Sequence, residues 1–275
     1  MRIAAKGMAA ETLWRTAYPE QCAWCGAVLA MGRRHFCAEC DGKLPWIGEH
    51  ACRRCGSQVA PHAVTARGCA ACRGLRLAFR RAVAPFRYEG MIRDLILRFK
   101  LGGQPSLVYV LGDLLCDYLA DGGVSRAADL VVPVPLHWRR RMRRGYNQSR
   151  LLAIEIGTRF GLPVAVRALR RVRNTQSQTA LTALSRDANV RGAFAARTFS
   201  SEQSPLGRLW ARAFGAVALL GRRVLLVDDV MTTGSTVNEC ARVLRRAGAA
   251  EVHVVALARA HGGLSRPAPR TGSSG

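Results

Sequence analysis

The sequence predicts an α/β fold, in which helices flank a parallel β-sheet, preceded by a small cysteine-rich segment. Eight of the ten cysteines fall between positions 22 and 72. From about Phe79 onward, short apolar runs alternate with stretches whose apolar residues recur at helical spacing. Strands that alternate with helices in this way form parallel sheets covered on both faces. The two observations together place a compact α/β domain after the cysteines.

Length and composition set outer limits on the class of protein. The 275 residues are 49% hydrophobic and 22% charged, which suffices for one medium domain or two small domains with a buried core. No run of about 18 apolar residues occurs, so the sequence predicts no membrane-spanning helix. The first residues carry Glu11 and Arg15 where a secretory signal would need its apolar stretch, and we therefore expect a cytoplasmic protein.

Basic residues outnumber acidic ones by 42 to 18, which gives a formal net charge of +24. A positive field of this size attracts polyanions, a class that includes nucleic acid, phosphorylated substrates and anionic membrane surfaces. Only Lys6, Lys43 and Lys100 among the basic residues are lysine. An arginine bias can also come from a G+C-rich genome without fixing any partner, so charge alone leaves both explanations open.

The cysteines between positions 22 and 72 form four CxxC pairs. They are Cys22 and Cys25, Cys37 and Cys40, Cys52 and Cys55, and Cys69 and Cys72. Cysteines at this spacing bind tetrahedral Zn²⁺ from a tight turn, and two pairs complete a site, so the sequence predicts two structural four-cysteine zinc sites. Sequential pairing, as a double zinc ribbon, is favoured because the gaps are short and nearly equal. Interleaved pairing, first with third and second with fourth, is the alternative.

Each element of the second part follows from its own pattern. Apolar runs predict a strand at 81–88 and buried strands at 130–136, 224–229 and 252–258, and the run at 130–136 is expected to end in a proline-stiffened loop. Apolar residues at helical spacing predict helices at 91–100, 107–119, 147–161 and 235–248. Asn147 and Gly161 are the expected caps of the third helix, and Cys116 and Cys240 are expected to be buried thiols.

These patterns divide the chain into four predicted parts. They are an N-terminal segment at 1–21, a double zinc ribbon at 22–78, an α/β domain at 79–262 and a disordered tail at 263–275. The tail is assigned as disordered because it is rich in proline, glycine and serine.

The segment VLLVDDVMTTGST at 224–236 stands where parallel sheets bind ligands, at the carboxyl end of a strand. Asp228 and Asp229 end the apolar strand, and adjacent carboxylates can accept hydrogen bonds from paired ribose hydroxyls. The residues from Thr232 to Thr236 form a hydroxyl-rich turn that opens a helix, and the amides of such a turn bind phosphate. The pattern GxxxxGK[ST] is absent, so the segment is not a nucleotide P-loop.

These thirteen residues closely resemble the motif of type I phosphoribosyltransferases that binds phosphoribosyl pyrophosphate (PRPP), an apolar strand followed by two acids and T-T-G-x-T. The resemblance implies the type I phosphoribosyltransferase fold. It also implies that Asp228 and Asp229 hold the 2- and 3-hydroxyls of the ribose, and that PRPP arrives chelated to Mg²⁺. The residues implied to cradle the 5-phosphate are Thr232, Thr233, Gly234, Ser235 and Thr236.

Two further stretches, 132–153 and 173–194, resemble the ComF family of competence-associated proteins. In that family a cysteine-rich zinc ribbon precedes a phosphoribosyltransferase domain, in the order found here. The resemblance covers about Cys22 to Arg259 and implies a link to DNA uptake in natural competence, with a DNA-uptake helicase as partner. One departure is the stretch from 198 to 221, which is longer than the family pattern leads us to expect.

Phosphoribosyl transfer breaks the bond between ribose C1 and pyrophosphate through a transition state of oxocarbenium character, so negative charge develops on the leaving group. Five arginines follow the strand at 130–136, where such folds place their pyrophosphate-binding loop. Arg144, beside Gly145, is the predicted ligand, and with Asp228 and Asp229 it completes the predicted catalytic set. A mobile lid or the acceptor side is predicted to include Thr175, Gln176, Gln178, Arg186 and Asn189. His137 is interpreted as a packing residue rather than a general base.

Three functions are therefore compatible with the sequence. The first is a Mg²⁺-dependent phosphoribosyltransferase whose acceptor the sequence does not identify. The second is a binding protein that senses PRPP or a nucleotide while its ribbons and arginines grip single-stranded DNA. The third is an adaptor whose zinc ribbons dock a protein partner, such as the DNA-uptake helicase that the family resemblance implies.

Overall fold

The computed structural model describes residues 20–60, 63, 68–123, 127–136, 142, 145–173, 189–197 and 219–260. The chain divides into two compact units, Met1–Pro45 and Trp46–Gly275. The boundary separates the first four cysteines of the CxxC series from the last four. The predicted part boundaries at 21, 78 and 262 stay predictions.

The first unit contains a short helix and a tight turn between cysteines. Helix α1 spans Ala38–Asp41. Gln21 and Val28 form an antiparallel bridge, and the chain turns between them, where the Gly26 N–H donates to the Cys22 carbonyl at 3.0 Å. A turn of this kind brings both cysteines of a CxxC pair to one side of the chain.

A parallel sheet forms the centre of the second unit. The described strands are β1 (Arg81–Val83), β2 (Phe86–Arg87), β3 (Leu130–Pro133), β4 (Leu169–Arg171), β5 (Phe194–Ala196), β6 (Arg223–Met231) and β7 (Glu251–Arg259). Five of them form one sheet in the order β1, β7, β6, β3, with β2 also pairing to β7, and every pairing is parallel. Strands β4 and β5 form a separate antiparallel pair. The predicted parallel sheet is therefore confirmed.

Helices cover this sheet. They are α2 (Gly90–Leu101), α3 (Leu107–Asp121), α4 (Gln148–Phe160) and α5 (Ser235–Arg246). All four predicted helices are confirmed, with their ends within two residues of the predicted ones. The Asn147 side chain accepts a hydrogen bond from the Ser149 N–H at 3.1 Å, and Gly161 ends α4 in the left-handed conformation with φ of +64°. Both expected caps are therefore present.

A proline explains the difference between one predicted strand and the observed ones. The predicted strand at 81–88 is interrupted at Pro85, which has no N–H and cannot continue the ladder. The Pro85 carbonyl instead accepts a hydrogen bond from the Ile47 N–H at 2.8 Å. Strand β3 ends at Pro133, where the sequence predicts the proline-stiffened loop, although the Val134 N–H still donates to the Val227 carbonyl of β6 at 2.9 Å. The pair of β4 and β5 was not predicted, since three-residue strands are too short to show an alternating pattern.

The core of the second unit lies between the sheet and its helices. Residues 224–227 of β6 and 254–258 of β7 are fully buried, as expected for strands covered on both faces. Cys116 and Cys240 are buried as predicted, and burial raises the pKa of Cys116 to about 12. In the described ranges, no helix has the length and apolarity needed to cross a bilayer.

Candidate functional site

Each half of the CxxC series forms a cluster of four sulfurs. The first cluster is Cys22, Cys25, Cys37 and Cys40, and the second cluster is Cys52, Cys55, Cys69 and Cys72. Within each cluster the ligand atoms lie within 4.8 Å of one another, and the Cys25–Cys37 and Cys52–Cys72 sulfurs are both 3.8 Å apart. Sulfurs bound at about 2.3 Å to a tetrahedral zinc lie about 3.8 Å from each other. Both clusters therefore fit zinc, sequential pairing is confirmed, and interleaved pairing is wrong.

Hydrogen bonds favour the thiolate form at one cysteine of each cluster. Burial raises the pKa of Cys22, but backbone N–H groups, among them those of Cys25 and Cys37, outweigh it and hold that pKa at about 6. In the second cluster, hydrogen bonds from the side chain and backbone of Cys55 lower the pKa of Cys52 to about 4, against the effect of burial. Burial and the neighbouring thiols raise the pKa of Cys40, and the Cys52 side chain and burial raise the pKa of Cys55, so zinc, which binds cysteine as thiolate, would displace protons from other members of each cluster. Four thiolates complete the coordination, so the sites are structural.

Hydrogen bonds join the segment that carries the second cluster to the edge strand β1. The Arg54 guanidinium donates to the carbonyls of Cys72 at 2.9 Å and Leu75 at 2.7 Å. The Arg54 carbonyl accepts a hydrogen bond from the Ala82 N–H of β1 at 3.1 Å. Gly56 has φ of +70°, and a Cβ at that position would lie 3.0 Å from the Ala82 carbonyl oxygen. The second cluster therefore packs directly on the sheet within one compact unit.

A cavity of about 250 Å³ opens at the carboxyl ends of β3 and β6. Its lining comes from the end of α2, the loop after β3, the first turn of α4, β4 and the loop between β6 and α5. The lining residues include Lys100, Ser149, Arg171, Asp228, Asp229 and Thr236. The structure thus brings the two predicted acids into one cavity with Thr232, Gly234 and Thr236 of the predicted phosphate loop, whereas Thr233 and Ser235 are buried and are not among its described lining residues.

The loop between β6 and α5 has the chemistry of an anion site. Gly234 occupies the N-cap position with φ of +75°, and its carbonyl accepts a hydrogen bond from the Asn238 N–H at 2.9 Å. The buried hydroxyl oxygens of Thr233 and Ser235 lie 2.8 Å apart. Backbone N–H groups at a helix N-terminus lack intrahelical partners and attract anions. The N-terminus of α5 therefore offers backbone amides to a phosphate, and the paired Thr233 and Ser235 hydroxyls lie within the loop rather than among the lining residues of the cavity.

Asp228 accepts hydrogen bonds from two directions. The Ser149 hydroxyl donates to its Oδ1 at 3.1 Å, and the Asp229 N–H donates to the same oxygen at 2.9 Å. Burial, followed by the neighbouring charge of Asp229, raises the pKa of Asp228 to about 7, while Lys100 opposes the shift. A carboxyl group with this pKa changes its protonation near neutral pH, so it can either accept a hydrogen bond from a ligand hydroxyl or donate one.

Asp229 forms an ion pair with Lys100. The Lys100 Nζ lies 2.9 Å from Asp229 Oδ1, and the two side chains are 17% and 15% exposed. The residues around the start of α4 fix the end of α2 that carries this lysine. The Tyr146 hydroxyl donates to the Phe99 carbonyl, and Gln148 Nε2 donates to the Lys100 carbonyl at 3.4 Å. The lysine is therefore held beside the acids, where it offsets their negative charge.

Sequence analysis missed Lys100, Ser149 and Arg171 as lining residues. A signal existed for Lys100, because it is one of only three lysines in the chain and ends a predicted helix. Ser149 and Arg171 carried no such signal. Their place in the cavity depends on how α4 and β4 pack against the sheet, which a local pattern does not contain.

Several predicted residues lie outside the described residues. They are His137, Arg144, Thr175, Gln176, Gln178 and Arg186. Asn189 is described: its carbonyl accepts a hydrogen bond from Arg173 at 3.2 Å, and it is not among the described residues that line the cavity. Of the stretch from 198 to 221, the described part is 219–221, where Leu219 is buried in the core.

Two family models match the chain. A double zinc ribbon domain matches residues 13–73, and a phosphoribosyl transferase domain matches residues 143–270. The matches confirm the predicted order, in which a zinc ribbon precedes a phosphoribosyltransferase fold.

Known proteins resemble the chain over most of its length. Competence protein F of Haemophilus influenzae is 32% identical over 245 residues, which are 87% of this chain and 97% of that protein. DNA utilization protein YhgH of Escherichia coli K12 is 30% identical over 244 residues, or 88% of this chain and 97% of that protein. A solved purine phosphoribosyltransferase from Pyrococcus horikoshii aligns with a TM-score of 0.35 and 15% identity, over 58% of this chain and 80% of that one. The two sequence relatives are therefore matched over nearly their whole length.

Proposed function

The chain belongs to the ComF family of competence-associated proteins, and on that premise we propose that the cavity at the sheet edge binds PRPP. The observation that carries the proposal is that Asp228 and Asp229 share one cavity with Thr232, Gly234 and Thr236 of the loop that opens α5. A phosphorylated ribose presents a vicinal diol and a phosphate, and the cavity offers acceptors for the diol beside donors for the phosphate. This match of chemistry, rather than the size of the cavity, supports the ligand.

In this proposal Asp228 and Asp229 accept hydrogen bonds from the 2- and 3-hydroxyls of the ribose. Lys100, which lies 2.9 Å from Asp229, limits the repulsion between the two acids when both are ionised. The 5-phosphate binds to the amides and hydroxyls at the start of α5. The Mg²⁺ that accompanies PRPP would neutralise the oxygens of the pyrophosphate and so make it a better leaving group.

We further propose that the bound PRPP undergoes phosphoribosyl transfer. The bond between C1 and the pyrophosphate oxygen breaks and its electron pair leaves with pyrophosphate, while a lone pair of the acceptor forms the new bond to C1 and the acceptor loses a proton. The acids beside the ribose favour the positive charge that develops on the sugar. Arg144 is the proposed ligand of the departing pyrophosphate, and the acceptor side is assigned to the stretch around Thr175 to Asn189.

Calorimetric titration of the zinc-loaded protein with PRPP, with and without Mg²⁺, tests the binding step. We expect Mg²⁺-dependent binding that is lost in the Asp228→Asn, Asp229→Asn double variant. Asp94→Asn, an exposed acid on α2 that pairs with Arg93 at 3.3 Å, is the matched control and should bind like the wild type. Wild-type protein that binds no PRPP would overturn the proposal. Pyrophosphate release that persists in the double variant would overturn the catalytic part.

A second candidate function, binding of single-stranded DNA, is supported by a groove at the opposite ends of the strands from the cavity. This groove of about 560 Å³ lies at the amino ends of β1 and β7, and its basic lining residues are Arg80, Arg242, Arg245 and Arg246. Arginines contact nucleic acid mainly through its phosphates, so such a groove binds without regard to sequence. The printed names of the two relatives, a competence protein and a DNA utilization protein, agree with a role in DNA uptake.

Fluorescence anisotropy with an oligothymidine at several salt concentrations tests this second candidate. The Arg245→Gln, Arg246→Gln double variant should bind more weakly, and the slope of log affinity against log salt concentration should become shallower by about 1.4, for two lost phosphate contacts on a single strand. Arg150→Gln, a change at an exposed arginine on α4, should alter that slope less. Wild-type protein that binds no oligonucleotide at low salt would remove the candidate.

The adaptor function remains part of the proposal, with a DNA-uptake helicase as partner and the cytoplasm as location. The first cluster belongs to the unit Met1–Pro45, and we propose that this unit docks the partner. Binding of purified helicase by the wild type and by a Cys25→Ser, Cys37→Ser variant tests it. Equal binding by both proteins would exclude the first zinc site as the docking element.

A further inference from the structure

Arg259, the last residue of β7, is a buried cation. Its side chain is only 3% exposed, and a buried charge is costly unless it is paired and hydrogen-bonded. Burial lowers the pKa of Arg259, while the thiols of the second cluster raise it. The groups that compensate this arginine are therefore found on the zinc-binding side of the compact unit.

Hydrogen bonds join Arg259 to two regions that are far apart in the sequence. Its Nη1 donates to the Thr232 carbonyl at 2.5 Å and to the Met231 carbonyl at 3.4 Å. Its Nε and Nη2 both donate to the Ser57 hydroxyl oxygen at 3.2 Å. The Cys55 thiol in turn lies 3.4 Å from that oxygen. A continuous chain of contacts therefore runs from the second cluster through Ser57 and Arg259 to the first residue of the phosphate loop.

Zinc would strengthen this chain of contacts. A zinc ion bound by four thiolates carries a formal charge of about −2, which is the countercharge that a buried guanidinium requires. Without the metal the four cysteine side chains are not held in one cluster, so Ser57, two residues after Cys55, is less firmly placed against Arg259. The position of the guanidinium, and with it the carbonyl of Thr232, then becomes less well fixed.

We propose that the second zinc site positions the PRPP loop through Arg259, so that the metal in the second cluster sets the affinity of the cavity for its ligand. The inference rests on the proposed function, because PRPP is the ligand whose affinity is measured. Arg259 acts as a positioning residue, since its contacts are with the loop backbone and not with the cavity ligand. The first cluster belongs to the other compact unit and therefore serves as the comparison site.

Ser57→Ala is the most direct test, because it removes the link while leaving all eight zinc ligands in place. We expect the variant to retain two zinc ions per chain and to bind PRPP about threefold to tenfold more weakly. Arg259→Met should weaken binding more, and Arg259→Lys, which keeps the charge, should recover part of the loss. Ser106→Ala, a change at an exposed serine before α3, is the matched control, and the Cys25→Ser, Cys37→Ser variant should lose one zinc without losing PRPP affinity.

Hydrogen exchange of the loop, measured by mass spectrometry over residues 230–238, gives a second readout that needs no PRPP. Faster exchange in Ser57→Ala and Arg259→Met than in Ser106→Ala supports the link. Unchanged exchange together with PRPP affinity within twofold of the wild type, in folded and zinc-loaded variants, overturns it. If the wild type binds no PRPP, the proposed function fails, and the exchange data still decide whether the second zinc site positions the loop.

Discussion

The ammonium group of Lys100, near the end of α2, lies 2.9 Å from the carboxylate of Asp229, near the end of β6. The same lysine lowers the pKa of Asp228, which burial and Asp229 raise. Lys100 therefore counteracts the repulsion between Asp228 and Asp229. The proposed function needs both acids in their ionised form.

Replacing that lysine should shift the pH dependence of PRPP binding. In Lys100→Met the pKa of Asp228 rises further above about 7, so the acid is protonated at neutral pH and accepts hydrogen bonds from the ribose less well. We expect affinity at pH 7 to fall about threefold to tenfold and to recover as the pH is raised. Calorimetry from pH 6 to about pH 9 measures both effects.

The control for this change is Lys43→Met in the first unit, where the lysine pairs with Glu39 on an exposed surface. It should leave the pH profile unchanged. A Lys100→Met protein whose profile coincides with that of the wild type would show that the ion pair does not tune the acids.

Asp228 should also make stability depend on pH in a particular direction. Its pKa of about 7 in the folded protein lies above the value of about 3.9 expected in the unfolded chain. The folded protein therefore holds a proton that the unfolded chain releases between about pH 4 and pH 7, and the free energy of unfolding falls as the pH rises through this window. Asp228→Asn should be increasingly more stable than the wild type across the window, by about 1 to 4 kcal/mol at its upper end.

Chemical denaturation of both proteins at several pH values measures this difference. Asp129→Asn provides a comparison of opposite sign, because hydrogen bonds from Arg223 lower the pKa of Asp129 to about 2. That variant should be less stable than the wild type at neutral pH, with the difference disappearing as the pH falls to about 2. A stability difference for Asp228→Asn that does not change with pH would contradict the raised pKa.

Alanine substitutions at two glycines distinguish the cost of disturbing the contact between the second cluster and β1 from the cost of backbone strain. Gly56 and Gly103 have φ of +70° and +64°, and an added Cβ would lie 3.0 Å from the Ala82 carbonyl oxygen at the first but in open space at the second. We expect Gly103→Ala to lower the free energy of unfolding by about 1 kcal/mol, for the left-handed backbone alone. Gly56→Ala should cost about 2 to 4 kcal/mol, because the clash adds to the strain. Denaturation of the zinc-loaded variants measures both, and equal costs would mean that the contact with β1 is loose.

Local patterns were sufficient for most of the fold. Buried strands such as β6 are continuous apolar runs, and α4 carries both of its caps in the sequence, so each could be predicted from neighbouring residues alone. The spacing of the eight cysteines likewise predicts two metal sites. The choice between sequential and interleaved pairing required the positions of the sulfur atoms. Where a proline interrupts a run, as at Pro85, the pattern overestimated the length of the strand.

The candidate site was predicted only in part, for a physical reason. Asp228 and the loop from Thr232 to Thr236 lie on one continuous stretch, so their order along the chain identifies them. Lys100, Ser149 and Arg259 reach the same region from distant elements, and each contact exists only because the helices pack on the sheet in one particular way. Sequence periodicity describes which face of an element is buried, but it does not specify which side chain of a neighbouring element lies opposite.

The position of the second cluster also determines where the chain can be cut. A fragment that starts at Trp46 keeps Arg54 and Gly56 against β1, whereas one that starts at position 79 loses them and leaves the Ala82 N–H without its acceptor. Removal of zinc by a chelator should therefore loosen the second cluster against β1 and make part of the unit Trp46–Gly275 susceptible to limited proteolysis. It should not merely detach an accessory module.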